Sequence, residues 1–145
     1  MANPKKQEEL RIITNTLKEQ GKMFFLEGAT EEQVNTFEKD HDITFPECFK
    51  EWLLFSDGGE CFLPAGVQFY GVSHKPLINV GNADRPDNRF IVIGSMSFGD
   101  PILCEKGSER ISIYNHEAGV IEDDETFSDF FEFLKSLYEL LEIGG

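Results

Sequence analysis

The hydrophobic pattern of this chain changes its period twice. Up to Phe55 the apolar residues recur every three or four positions, and from Val67 to Ile121 they alternate or form short β-branched runs. Helical spacing returns after Thr126. The first and last patterns predict helices with one buried face, whereas the middle pattern predicts strands joined by short turns. We therefore predict an α+β class for residues 1–145, as a single domain with a mostly antiparallel sheet packed by N-terminal helices and a C-terminal helix.

The N-terminal third predicts two helices before any strand-rich region. In residues 1–22, Leu10, Ile13 and Leu17 recur at helical spacing over about Gln7 to Gln20. A second helix is expected to begin after Thr30, because Gln33 stands three residues later in a capping-box pattern. This helix should end near residues 41–42.

The stretch FPECFKEWLLFSDGG, residues 45–59, contains a cysteine, acids and paired glycines, so it is either a site or a helix that packs and stops. Phe49, Trp52 and Leu53 fall at i, i+3 and i+4, which predicts a buried helical stripe. Glycines of a phosphate loop precede a helix, whereas Gly58 and Gly59 follow this one. We interpret Asp57-Gly58-Gly59 as the end of the helix.

The C-terminal segment predicts a long amphipathic helix. We expect Thr126 to be its N-cap and Asp129 to interact favourably with its dipole. The apolar stripe consists of Phe127, Phe130, Phe131, Leu134, Leu137, Tyr138 and Leu141.

The charge of the chain is strongly negative and unevenly distributed. The formal net charge is −14, and residues 1–22 carry +2 against −16 for the remainder. A body this negative repels nucleic acid and anionic membranes, and it attracts a basic protein. The alternative is that the charge serves solubility alone. We predict a protein partner, a cationic one, with no nucleic acid and no membrane.

One block of acids, without an intervening lysine or arginine, is the candidate partner-binding surface. Its members are Glu117, Glu122, Asp123, Asp124 and Glu125, and the loop acids Asp84 and Asp87 are expected to add contacts. An ordinary solvated loop is the alternative interpretation. The segment NADRPDN, residues 82–88, offers oxygen ligands but lacks the glycine and terminal glutamate of a calcium-binding EF-hand loop, so a turn-rich loop is favoured.

No catalytic or metal-binding motif is evident in the sequence. Three cysteines, at positions 48, 61 and 104, are too widely spaced for a disulfide framework or a zinc pair, and buried thiols are favoured over nucleophiles. Phosphate-binding, nucleotide-binding and hydrolase motifs are missing. We expect no enzymatic activity, no cofactor and no metal. A polar N-terminus without a signal-peptide pattern and the lack of a long apolar run predict a cytoplasmic protein.

The order of these segments resembles the SUKH superfamily over residues 29–137. The resemblance is carried by a capped helix, a hydrophobic-Pro step, a helix ending in a glycine pair, a strand turn and a Phe-rich final helix. The matching positions are Phe37-Glu38, Phe45-Pro46, Trp52-Leu53, Gly58-Gly59, Gly94, Gly99-Asp100 and Phe127 to Leu134.

The resemblance implies an interaction protein without catalytic residues. Most bacterial SUKH proteins are immunity proteins that bind and neutralise polymorphic or contact-dependent toxins, often nucleases or deaminases. We therefore expect an immunity protein that occludes a basic, nuclease-type toxin through an acidic surface. Fungal relatives act as regulatory interaction domains, which makes a regulatory protein–protein interaction scaffold the alternative.

Overall fold

A computed structural model describes residues 3–63, 66–74, 77–78, 89–96, 99–115 and 117–144, with only the backbone described at 122–125 and 138–144. These residues form four helices and seven strands. In chain order they are α1 (Pro4–Gln20), β1 (Met23–Phe25), α2 (Glu31–His41), α3 (Glu47–Phe55), β2 (Gly59–Cys61), β3 (Val67–Phe69), β4 (Phe90–Ser95), β5 (Pro101–Glu105), β6 (Ile111–Asn115), β7 (Val120–Phe127) and α4 (Phe130–Gly144).

The seven strands form one sheet in which spatial order follows chain order. Each strand pairs antiparallel with the next, from β1 to β7. The predicted α+β class with a mostly antiparallel sheet is therefore confirmed. Strands β1 and β7 form the two edges of the described sheet.

The helices cover one face of the sheet, and the side chains of each strand alternate between the two faces. On β4, Ile91 and Ile93 belong to the large core that includes the helices. Phe90 and Val92 belong to a smaller cluster with Leu103 of β5 on the opposite face. All four β4 side chains are at most 6% exposed, so this strand is covered on both faces, as its continuous apolar run predicts.

A cluster of aromatic rings joins α3, β3 and α4 in the large core. The Phe130 ring lies 5.0 Å from Phe49 and 5.6 Å from Trp52, measured between centroids. Phe69 lies 5.5 Å from Trp52 and 5.4 Å from Phe130. Edge-to-face contacts of this kind add to the free energy gained by burying the rings. The predicted stripe of α3 therefore packs against both the sheet and the last helix.

The prediction that Thr126 caps the last helix is wrong. Thr126 pairs with Ser112 of β6, so strand β7 continues past the predicted helix start. The cap is Asp129, whose Oδ1 accepts a hydrogen bond from the backbone N–H of Glu132 at 2.9 Å. Phe127 consequently belongs to the strand, and the fully buried Phe133 was missing from the predicted stripe. Threonine suits a strand as well as a cap, and the pairing with β6 decides between them.

The N-terminus of α3 is capped by a residue far away in the chain. Pro46 occupies the N-cap position and has no side-chain hydrogen bond to offer. The carboxylate of Glu109, in the turn between β5 and β6, instead accepts hydrogen bonds from the backbone N–H groups of Glu47 at 2.7 Å and Cys48 at 3.0 Å. A carboxylate at this position satisfies two unpaired donors and interacts favourably with the helix dipole. The β5–β6 turn is thereby tied to α3.

Replacing Glu109 by alanine should lower the free energy of unfolding by about 1–2 kcal/mol, because two helix N–H groups lose their acceptor. Urea denaturation measures the change. Glu117→Ala is the matched control, because Glu117 is an exposed acid in the next turn. Equal stability of the Glu109 and Glu117 variants would contradict this account of the cap.

Candidate partner-binding surface

Glu117 lies exposed in the turn between β6 and β7. The Oδ1 atom of Asn115 accepts a hydrogen bond from the N–H of Ala118 at 3.0 Å, and the N–H of Gly119 donates to the carbonyl of Asn115 at 2.8 Å. These two hydrogen bonds fix the turn in one conformation. Val120, the first residue of β7, is 46% exposed, so an apolar side chain reaches solvent three positions after Glu117.

The remaining acids of the predicted block, residues 122–125, lie in β7. They fall between two paired stretches, since Ile121 pairs with Tyr114 and Thr126 pairs with Ser112 across a register shift. The structure therefore places all five acids of the block on one hairpin at the edge of the described sheet. The other two predicted residues, Asp84 and Asp87, lie outside the described residues. The contact role of all seven stays a prediction.

A second acidic surface, formed by α2 and the residues that flank it, was missed by the sequence analysis. Residues 27–42 contain six acids and one lysine, and five of the six acids are exposed: Glu27, Glu31, Glu32, Asp40 and Asp42. These acids are interleaved with the apolar positions of a helix and do not form a run. A net charge counted for each predicted element would have found them.

Between α2 and residues 72–73 lies a groove of about 310 Å³. Phe37 and Val72 supply its apolar surface, while Glu32 and Asp40 lie along the α2 side. The amide of Gln33 donates a hydrogen bond to the hydroxyl of Ser73 at 3.3 Å, which links the helix to the other wall. We call this feature the α2 groove. It combines an apolar surface with two carboxylates at different positions along the axis of α2.

Asp57 holds the second wall of the α2 groove in place. Its carboxylate is completely buried. It accepts hydrogen bonds from the backbone N–H groups of Val72 at 2.7 Å, Ser73 at 2.9 Å and His74 at 2.9 Å. Hydrogen bonds to a charged acceptor are stronger than neutral ones, so the segment is fixed by three strong contacts.

The interpretation of Asp57-Gly58-Gly59 as a helix stop is therefore wrong in part. Helix α3 ends at Phe55 with Ser56 as its C-cap, and Gly59 already belongs to β2. Gly58 has a φ of 101°, which favours glycine, so the chain turns there. The aspartate has its own role as the anchor of residues 72–74, which no local pattern distinguishes from a turn residue.

Gly71 is required by the same anchor. A Cβ atom at this position would lie 2.7 Å from Oδ1 of Asp57 and 2.5 Å from its carbonyl oxygen. Those distances are shorter than real contacts of a Cβ atom, so any larger residue would displace the carboxylate.

Asp57 also contacts the imidazole of His74, whose Nδ1 lies 3.0 Å from Oδ2 while the side chain remains 45% exposed. An Asp–His pair orients the general base in some hydrolases, but these enzymes also need an activated nucleophile beside the imidazole. The three thiols do not meet that need. All are buried, and burial is the main cause that raises the pKa of each to about 12.

The other buried carboxylates also hold the fold together. Glu38 accepts a hydrogen bond from the N–H of Phe45 at 2.7 Å and contacts the ammonium of Lys50 at 3.2 Å. Glu51 accepts from the N–H of Asn3 at 2.6 Å and from the amide of Gln7 at 3.2 Å. Each is partnered within the chain, as buried charges must be.

No three His, Cys, Asp or Glu side chains in the part of the chain that the structure describes are grouped so that they could hold a metal ion. None of the described helices combines the length and apolar character needed to cross a membrane. The lack of enzymatic activity stays a prediction.

The family model described as SMI1 / KNR4 family (SUKH-1) matches residues 28–135, well over half of the chain. The match begins before α2 and ends within α4, so it includes the Asp57 anchor, the whole of the α2 groove and the β6–β7 hairpin. No curated protein matches the chain.

Replacing Asp57 by asparagine should lower the free energy of unfolding by about 2–4 kcal/mol, because an amide offers one acceptor atom to four buried or half-buried donors. Amide hydrogen exchange should accelerate most at residues 72–74. Urea denaturation and exchange measured by NMR check both effects.

Asp42→Asn makes the same chemical change at an exposed site and serves as the control. Its left-handed conformation, with a φ of 53°, is one that asparagine tolerates. If the two variants were equally stable, Asp57 would not be the anchor proposed here.

The three thiols should react very slowly in the native protein. With a pKa of about 12 the thiolate fraction at pH 8 is on the order of a thousandfold lower than for an exposed cysteine. A chromogenic disulfide reagent measures the rate, and the urea-unfolded protein, which should react at three equivalents, is the control. Fast modification of a single native cysteine would revive the nucleophile hypothesis.

Proposed function

The chain belongs to the SMI1 / KNR4 family (SUKH-1), and we propose that it is an immunity protein that neutralises a cationic toxin by binding it. SUKH domains are known as toxin-immunity proteins, which supports a protein partner. The family membership is the observation that carries the proposal. The charge and the surfaces described above supply the mechanism.

Electrostatic attraction supports a basic partner. Residues 23–145 contain 24 acidic and eight basic side chains, a net charge of −16. A nuclease-type toxin holds the phosphates of its substrate in a basic cleft, and an acidic surface is complementary to that cleft. Complementary charge accelerates association and orients the two proteins before contact.

Occlusion of the toxin's cleft explains inhibition without chemistry. The acids of the β6–β7 hairpin would form the charged rim of the contact, with the half-exposed Val120 as an apolar contact on the same hairpin. In protein interfaces the rim charges mainly set the association rate, whereas buried apolar contacts slow dissociation. We place the toxin's basic residues against Glu117 and residues 122–125.

Co-expression with the toxin domain encoded beside this gene tests the proposal. We expect cells that produce both proteins to survive, because the bound toxin cannot reach its substrate. Growth after toxin induction is the measurement, and an empty vector is the control. If cells die as quickly with this chain as without it, the immunity function is wrong, and regulation of an endogenous protein becomes the better hypothesis.

The hairpin contact is tested separately by charge removal. The triple change Asp123→Asn, Asp124→Asn and Glu125→Gln should slow association with the toxin about three- to tenfold at low salt. The matched control neutralises three exposed acids of α1, Glu8, Glu9 and Glu19, and should leave the rate nearly unchanged. Equal rates for the two variants would move the contact away from the hairpin.

A further inference from the structure

We propose that the α2 groove receives an extended segment of the toxin that carries two basic side chains four residues apart. This inference rests on the proposed function, because the cationic toxin is the partner that supplies the segment.

The lining of the groove suits the side chains of lysine or arginine. Phe37 and Val72 form an apolar surface on which an aliphatic stem packs. Glu32 and Asp40 lie along the α2 side and accept the charged head groups. Both carboxylate-bearing residues are exposed, so a partner reaches them without rearrangement of α2.

The spacing of the two acids specifies the shape of the partner. Residues 32 and 40 are eight positions apart on a helix, a rise of about 12 Å. In an extended segment, residues i and i+4 point to the same side and are separated by about 13 Å. Two basic residues at i and i+4 therefore match the two carboxylates, and residue i+2 faces the apolar surface between them.

Local charge favours a basic occupant over other segments. Residues 27–42 carry a formal net charge of −5 with histidine neutral. Glu38, the acid of α2 that points into the core, is already satisfied by Lys50 and by the N–H of Phe45. Lys39 is the one lysine of α2. A cationic segment thus gains attraction that an acidic or neutral segment would not.

The groove is formed before binding, which lowers the entropy cost of association. Its α2 wall is held by the capping box of Thr30 and Gln33. The opposite wall is held by the three backbone hydrogen bonds to Asp57, and the Gln33–Ser73 hydrogen bond joins the two walls.

The first experiment uses a peptide and therefore does not depend on the toxin. The probe is the blocked pentapeptide Arg-Thr-Leu-Thr-Arg, titrated into the ¹⁵N-labelled protein at low salt. We expect amide shifts confined to residues 32–40 and 72–74, and binding about fivefold weaker for the variant Glu32→Gln/Asp40→Asn. The peptide Glu-Thr-Leu-Thr-Glu should cause no shifts there, and Arg-Arg-Leu-Thr-Thr should bind more weakly.

The second experiment measures the affinity of the toxin domain for the same double variant. Glu27→Gln/Asp42→Asn is the matched control, since it removes two exposed acids that flank α2 and do not line the groove. We expect the groove variant alone to bind the toxin about fivefold more weakly and the control variant to bind as the wild type does. Both variants should unfold at the wild-type urea concentration, because all four substituted residues are exposed.

The outcomes separate this inference from the immunity function. If the wild-type chain protects cells while the peptide leaves the groove unperturbed, or while the groove variant binds toxin as the control does, the groove proposal is overturned and the immunity function stands. If the wild-type chain gives no protection, the immunity function fails, and the toxin cannot be the groove's occupant.

Discussion

The carboxylate of Asp57, which lies just after α3, accepts hydrogen bonds from residues 72–74, which follow β3. The position of this segment, and with it the shape of the α2 groove, depends on this contact. A charge buried this completely is stable only when its oxygens are satisfied, and here three backbone N–H groups and an imidazole satisfy them. Gly71 is small because the carboxylate occupies the space that a side chain would need. This contact thus explains why position 57 is an aspartate and position 71 a glycine. It also explains why one wall of the α2 groove is fixed.

Burial of the aromatic core offsets the charge repulsion within the strongly acidic surface. Like charges repel in a compact state, so a chain of net charge −14 needs a core that outweighs that repulsion. The rings of Phe49, Trp52, Phe69 and Phe130 are almost completely buried where α3, β3 and α4 meet. The indole N–H of Trp52 has no hydrogen-bond partner among the residues that the structure describes, a cost smaller than the gain from burying so large a ring.

The buried carboxylates and thiols of the described interior hydrogen-bond or pack within the fold. Asp57, Glu38 and Glu51 are each held by donors of the chain itself. The thiols are buried and protonated at neutral pH. By contrast, the side chains of Glu32 and Asp40 on α2 and of Glu117 in the β6–β7 turn are exposed to solvent.

The sequence by itself determined the fold class, the buried stripes of α1 and α3, the capping box of α2 and the net charge, because each depends on neighbouring residues or on composition. It also identified the acids of the β6–β7 hairpin as one block. Tertiary structure decided what depends on residues far apart in the chain: Thr126 lies in β7 because Ser112 pairs with it, and Glu109 caps α3 from another turn. The hydrogen bonds that anchor residues 72–74 to Asp57, and the α2 groove itself, likewise depend on residues far apart in the chain. Local patterns carry no information about which distant donors a carboxylate will meet, since packing alone brings them together.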